Sequence, residues 1–172
     1  MDLFCGRGGW TRGLLAQGFW VVGFDIVRFR DYPGHLVIQD VRTLDGRQFR
    51  GFDLIVASPP CNEFSMFFWP GRLKPPGPST ELVEHAIRIS REAGVPLVLE
   101  NVRDAQPWIG KARAHYDSFY LWGDGVPALL PKGQRRRWKE SKSSRDKAGR
   151  ALIPLELADW IGRCYAAKGD GG

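Results

Sequence analysis

The feature that most restricts the fold is a short apolar strand running straight into a glycine-rich turn and then a helix. Residues 1–4 form the strand, Gly6, Gly8 and Gly9 punctuate the turn, and a helix through Trp10, Leu14 and Leu15 follows, closing near Gly18. The same alternation continues. Apolar runs at 20–24, 36–39, 53–57, 96–99 and 118–122 read as strands, and 79–93 and 154–165 read as helices. Ser79 or Thr80 can cap the first of these helices, and Pro154 sits in the first turn of the second. The stretch 59–78 is too rich in proline and glycine for regular structure. Strands separated by helical segments imply βαβ units, right-handed crossovers and a mainly parallel α/β sheet. Ligands of such sheets bind beyond the carboxyl ends of the strands. Asp25, Asp40, Cys61 and Glu100 each follow a strand, so the topology predicts that they share one rim.

With 172 residues the chain suits one domain, and 43 % hydrophobic residues suffice for a sizeable core. No apolar stretch approaches membrane-spanning length, and the start lacks a secretory pattern, so no membrane partner is expected. Three cysteines, an odd count without metal-ligand spacing, argue against a disulfide framework or a metal site and for a reducing cytoplasm. The 25 Lys and Arg against 19 Asp and Glu are unevenly placed. Residues 132–150 hold nine basic and two acidic residues, net +7, which leaves the remainder nearly neutral. Such a run is either a solvated face or a phosphate-binding loop, and Trp138 within it favours the second.

Three short segments carry candidate chemistry. In Phe4-Cys5-Gly6-Arg7-Gly8-Gly9 the glycines let a ligand approach the backbone, and the following helix offers unpaired N–H groups. Asp25, ending the next strand, is placed to accept ribose hydroxyls. A bare glycine turn is the alternative, and the spacing lacks the third glycine of the dinucleotide fingerprint. In Ser58-Pro59-Pro60-Cys61-Asn62-Glu63-Phe64-Ser65 a thiol follows a strand in a rigid proline turn. As a nucleophile it needs its thiolate; otherwise it is an inert thiol. Finally, the strand at 96–99 delivers Glu100 to the rim, as a proton donor to a ligand or as a solvated cap.

Together and in this order the three segments resemble the DNA (cytosine-5) methyltransferase family, over about residues 1–123 and 150–165. The turn resembles the family's glycine motif. Pro60-Cys61-Asn62-Glu63-Phe64-Ser65 is similar to its Pro-Cys motif, with Asn62 where Gln is common, and Glu100-Asn101-Val102 matches its Glu-Asn-Val motif. The segment 153–161 resembles the last motif, which packs near the glycine turn. The resemblance implies a Rossmann-like fold dependent on S-adenosylmethionine. It implies Phe4, Gly6, Gly8, Gly9 and Pro59 around that cofactor, Asp25 at the ribose, and Asp40 and Val41 at the adenine. Cys61 is the implied nucleophile towards cytosine carbon 6, and Glu100 the implied partner of ring nitrogen 3. The target base must leave its stack.

Relatives insert a target-recognition domain before the last motif, where this chain has only residues 132–150. The expectation is one catalytic domain, 1–172, of a minimal, phage-type enzyme with relaxed sequence preference. Asn62, Ser65, Arg135, Arg136, Arg137 and Lys139 are its candidate nucleic-acid contacts, and Arg136 or Arg137 its support for the flipped base. Phe67, Phe68 and Trp69 would stack on bases or close the loop over the core. DNA is the expected partner. RNA as substrate, or a non-catalytic subunit completed by a second chain, are the alternatives.

Overall fold

In a computed structural model of the chain, residues 1–67, 77–131 and 152–169 are described. The strands are β1 (Asp2–Leu3), β2 (Val22–Asp25), β3 (His35–Ile38), β4 (Ile55–Ala57), β5 (Leu97–Asn101), β6 (Ala114–Tyr116) and β7 (Phe119–Trp122). The helices are α1 (Gly9–Ala16), α2 (Asn62–Phe67), α3 (Glu81–Ala93), the single turn α4 (Gln106–Ile109) and α5 (Leu155–Gly169). The seven strands form one sheet in the order β3-β2-β1-β4-β5-β7-β6. The first five strands are mutually parallel, whereas β7 runs antiparallel to β5 and β6 antiparallel to β7. The strand order reverses between β1 and β4. In sheets of this kind ligands bind at that reversal, beyond the carboxyl ends of the strands.

Each face of the sheet has its own core. Leu3, Ile55, Ala57, Leu97 and Leu99 pack against Val83, Ala86 and Ile89 of α3, while Val56, Val98 and Leu121 pack with Trp10, Leu14, Leu157 and Ile161 of α1 and α5. This follows from the pleat, which sends alternate residues to opposite faces. Helix α1 lies close on α5 because position 13 has no side chain: a Cβ on Gly13 would stand 2.4 Å from both Ala158 Cβ and Asp159 N. The last helix thus reaches the glycine turn from far along the chain.

Several sequence expectations need correction. The stretch after Pro60 is helical as far as Phe67, because prolines ahead of a helix cost it no hydrogen bond. The Ser65 N–H donates to Cys61 O at 3.0 Å, and Phe64, 2 % exposed, anchors α2 in the core. The single strand expected near 118–122 is one arm of a hairpin, with β6 as its edge. Trp20 precedes β2 rather than belonging to it and is 73 % exposed. The helix expected from 79 starts at Glu81, and the Ser79 hydroxyl accepts from the Glu81 N–H at 3.3 Å. No helix among the described residues is long and apolar enough to cross a membrane.

Candidate active site

The glycine turn leaves β1 with Phe4 in a left-handed conformation, φ 57°, which an aromatic residue rarely adopts. Gly8, φ 77°, then opens α1, and its N–H donates to Cys5 O at 2.8 Å. Asp25, the last residue of β2, fastens this turn: its carboxylate accepts from the Gly6 N–H and, through the other oxygen, from the Val27 N–H, both at 2.9 Å. The space outside Gly6 is open, with no heavy atom within 4 Å of a Cβ built there. Beside it, Ile26 is 69 % exposed and presents an apolar surface next to the Asp25 carboxylate.

One strand further out, Asp40 follows β3, but its carboxylate is occupied. It accepts from the Arg42 N–H at 2.9 Å and from the Arg42 guanidinium at 2.6 Å, which holds it below the usual carboxylate range. Val41, next to it, is 2 % exposed and packs in the core under α3.

At the centre of the sheet β4 and β5 end side by side. The Pro59 ring is buried, and its carbonyl accepts from the Asn101 side-chain amide at 3.1 Å. Asn101 is itself 1 % exposed and also accepts from the Val102 N–H at 2.9 Å. This clamp fixes Cys61, ahead of α2, next to Glu100 on β5. Burial pushes the Cys61 thiol up, and the Glu100 carboxylate adds to the shift. Glu100 is pushed up to about 7 by burial, while hydrogen bonding from the Ser58 side chain draws it the other way. Ser58 in turn accepts the indole N–H of Trp10 at 3.0 Å. Two shifted titratable groups side by side at the strand ends mark this place as a candidate reactive site.

The four predicted rim positions therefore lie at the carboxyl ends of β2, β3, β4 and β5, four of the five parallel strands, with β1 and its glycine turn between β2 and β4. Cys61 and Glu100 meet, Gly6 and Asp25 meet, and Asp40 is turned towards Arg42. Asn62 is exposed beside Cys61, and the Ser65 hydroxyl donates back to Cys61 O at 3.1 Å. Arg135, Arg136, Arg137, Lys139, Phe68 and Trp69 lie outside the described residues. Sequence reasoning gave no role to Asn101, Ile26, Ser58 or Trp10. Asn101 and Ser58 stand inside two of the three segments, and Trp10 and Ile26 directly follow Gly9 and Asp25, which was the one signal available. A cavity of about 360 Å³, walled by Val83, Ile87, Leu97, Leu99, Ile109 and Trp122, lies against α3 on one sheet face, away from this rim. Among the described residues no group of three or more His, Cys, Asp or Glu is placed to hold a metal.

Comparison with known proteins adds to this geometry. The profile of the C-5 cytosine-specific DNA methylase family matches residues 1–106, which include the glycine turn, Cys61 and Glu100. Nothing among curated proteins matches the chain. Among solved structures it is similar to a crystal structure of a Spodoptera frugiperda DNMT2 mutant, at 23 % identity and TM-score 0.42. That similarity covers 60 % of this chain and 35 % of the other, so the chain spans about a third of that protein's length.

Proposed function

Because the chain belongs to the C-5 cytosine-specific DNA methylase family, we propose that it methylates carbon 5 of cytosine in DNA, with Cys61 and Glu100 as its catalytic residues. The observation that supports this reading is the meeting of Cys61 and Glu100 at the carboxyl ends of adjacent strands, next to the glycine turn.

The residues on the other side of the crevice fit S-adenosylmethionine. The Asp25 carboxylate suits a ribose diol, exposed Ile26 suits one face of a flat purine, and the open space at Gly6 gives room for the amino-acid end. When bound, this cofactor supplies a methyl group activated by a sulfonium. The chain's own residues must then make a poor carbon nucleophile reactive. The Cys61 thiolate adds to ring carbon 6 of the cytosine, and the Glu100 carboxyl protonates ring nitrogen 3, so carbon 5 gains electron density as an enamine. After methylation solvent water takes the proton from carbon 5, the carbon–sulfur bond breaks to release Cys61 as its thiolate, and ring nitrogen 3 returns its proton to Glu100 as the ring regains its aromaticity. A Glu100 held near 7 carries the required proton at neutral pH, and in its neutral form it no longer opposes ionisation of Cys61.

The cytosine must be unstacked to enter this crevice. Residues 132–150, with Arg135, Arg136, Arg137 and Lys139, and the exposed Asn62 are the proposed contacts to the polymer, mostly through phosphate, which gives weak sequence preference. The test is methyl transfer from labelled S-adenosylmethionine to duplex and single-stranded DNA, with matched RNA alongside. Label in cytosine of DNA that disappears in Cys61→Ala supports the proposal. Cofactor binding without transfer to any DNA overturns it, and transfer to RNA alone reassigns the substrate.

A further inference from the structure

Glu100 has an indirect partner on the opposite side of the crevice. Trp10 opens α1 directly after the glycine turn, is 2 % exposed, and spends its one polar hydrogen on Ser58 Oγ at 3.0 Å. An indole N–H can only donate. The Ser58 oxygen is thereby an acceptor towards Trp10, and its single hydroxyl hydrogen is left to point elsewhere. Its neighbour on the next strand is Glu100: the register that sets Ala57 against Leu99 brings the two following residues side by side, and the Ser58 side chain draws the Glu100 carboxyl towards its ionised form. Trp10 and Ser58 belong to segments that the topology brings together from 48 residues apart.

We propose that Trp10 is a positioning residue for Glu100, acting through Ser58: the indole fixes the hydroxyl so that its hydrogen is presented to the carboxyl. A hydroxyl donating to a carboxyl favours the ionised form and occupies one of its two oxygens. The acidic proton is then confined to the other oxygen, the one left to face the crevice and the base. Among the described residues the titratable group that faces Glu100 from the neighbouring elements is Cys61, ahead of α2; Trp10 on α1, Ser58 after β4 and Asn101 on β5 carry no charge. Ser58 is thus the uncharged device that sets Glu100, and Trp10 sets Ser58. The same turn that cradles the cofactor side orients the acid on the base side.

This inference rests on Glu100 acting as the proton donor, yet its test does not need turnover. The Glu100 carboxyl carbon is followed by NMR against pH in protein labelled with ¹³C-glutamate, with Glu100→Gln identifying the signal. Ser58→Ala, at a half-buried position, is expected to raise the titration midpoint by about one pH unit. Trp10→Phe, which keeps a buried ring and loses only the donor side, is expected to move it in the same direction by less. The double variant should match Ser58→Ala alone, because Trp10 acts only through that hydroxyl. In an active preparation, the alkaline limb of the pH–rate profile should move with the midpoint. An unchanged midpoint in Ser58→Ala overturns the proposal, as do additive shifts in the double variant. Should Trp10→Phe fail to fold, Ser58→Ala against Ser58→Thr decides, since threonine keeps the hydroxyl and restores the midpoint. Absence of methyl transfer in the unmodified chain would defeat the proposed function while leaving these midpoints to be read.

Discussion

The Asn101 amide donates to the Pro59 carbonyl at 3.1 Å, tying the strand that carries Glu100 to the loop that carries Cys61. The bond is buried, and the other end of the same side chain accepts the Val102 N–H. One residue therefore satisfies two backbone groups and fixes the spacing of the thiol and the carboxyl.

Replacing Asn101 by Ala should leave both backbone groups without that partner, costing about 2–3 kcal/mol of stability. Methyl transfer should fall more than tenfold, because a nucleophile displaced by even 1 Å loses its alignment. Urea denaturation and single-turnover assays on the same preparation measure the two effects. Stability lost with transfer intact would show the tie to be structural only.

Glu100→Gln keeps the shape of the side chain and removes its acidic proton. Transfer should drop by about 10²–10⁴-fold. In the unmodified chain the donor form disappears as pH rises through about 7, so the rate should decline on that side, and the variant should lack that limb. A rate profile measured between pH 5 and 9 checks this.

Asp2 is 1 % exposed, accepts the Thr11 hydroxyl at 2.6 Å, and has a second oxygen with no partner among the described residues. Thr11 in turn meets the Tyr32 hydroxyl at 2.7 Å. Burial pushes Asp2 up to about 7 from 3.8. The folded chain thus holds a proton that the unfolded chain releases within that window. Its contribution to stability is full below the lower value and is lost as pH rises to the upper one, with a slope of at most about 1.4 kcal/mol per pH unit. Asp2→Asn should flatten this part of the stability–pH curve, read as the difference between the two proteins in denaturant titrations from pH 4 to 8. Identical curves would mean that Asp2 is ionised throughout.

Gly13→Ala tests the close approach of α1 and α5. The new methyl would collide with Ala158 and the Asp159 backbone, at an expected cost of about 1–3 kcal/mol and a Tm lower by several degrees. A calorimetric scan shows it, and an unchanged Tm would mean that the helices part freely.

Replacing Arg135, Arg136, Arg137 and Lys139 together by Ala should flatten the dependence of DNA affinity on salt. A loss of about 0.9 in log–log slope is expected for each phosphate contact removed. Binding isotherms from 50 to 300 mM salt give both slopes. Equal slopes would remove this segment from the interface.

Much of the scaffold is legible because strands and turns leave local marks. The run at 53–57 contains β4, the run at 96–99 becomes β5, and the residues beyond them sit at the strand ends as the parallel topology demands. Local marks also mislead. Pro59-Pro60 reads as a break, yet α2 begins two residues later, since proline disturbs a helix from within and not from ahead. Ala114-His115-Tyr116 is too short to announce a strand and gains its identity from pairing with β7. Asp40 keeps its predicted place beyond β3, and its pairing with Arg42 two residues on is a contact that no periodicity announces. The Trp10–Ser58 bond joins residues 48 positions apart and follows no periodicity, so only the assembled fold reveals it.

The close seat of α5 on α1 has a consequence for the stretch between 131 and 152. Trp160 on α5 donates its indole N–H to the Leu129 carbonyl at 3.0 Å, and the Ile153 backbone abuts Gly9. Both flanks of that stretch are thus soldered to the scaffold independently of what joins them. Lengthening a tether whose ends are already held raises its closure entropy only logarithmically, by about 0.6 kcal/mol per doubling. The position works as a socket. A segment spliced in between residues 131 and 152 should therefore leave the spacing of the thiol and the carboxyl as it is.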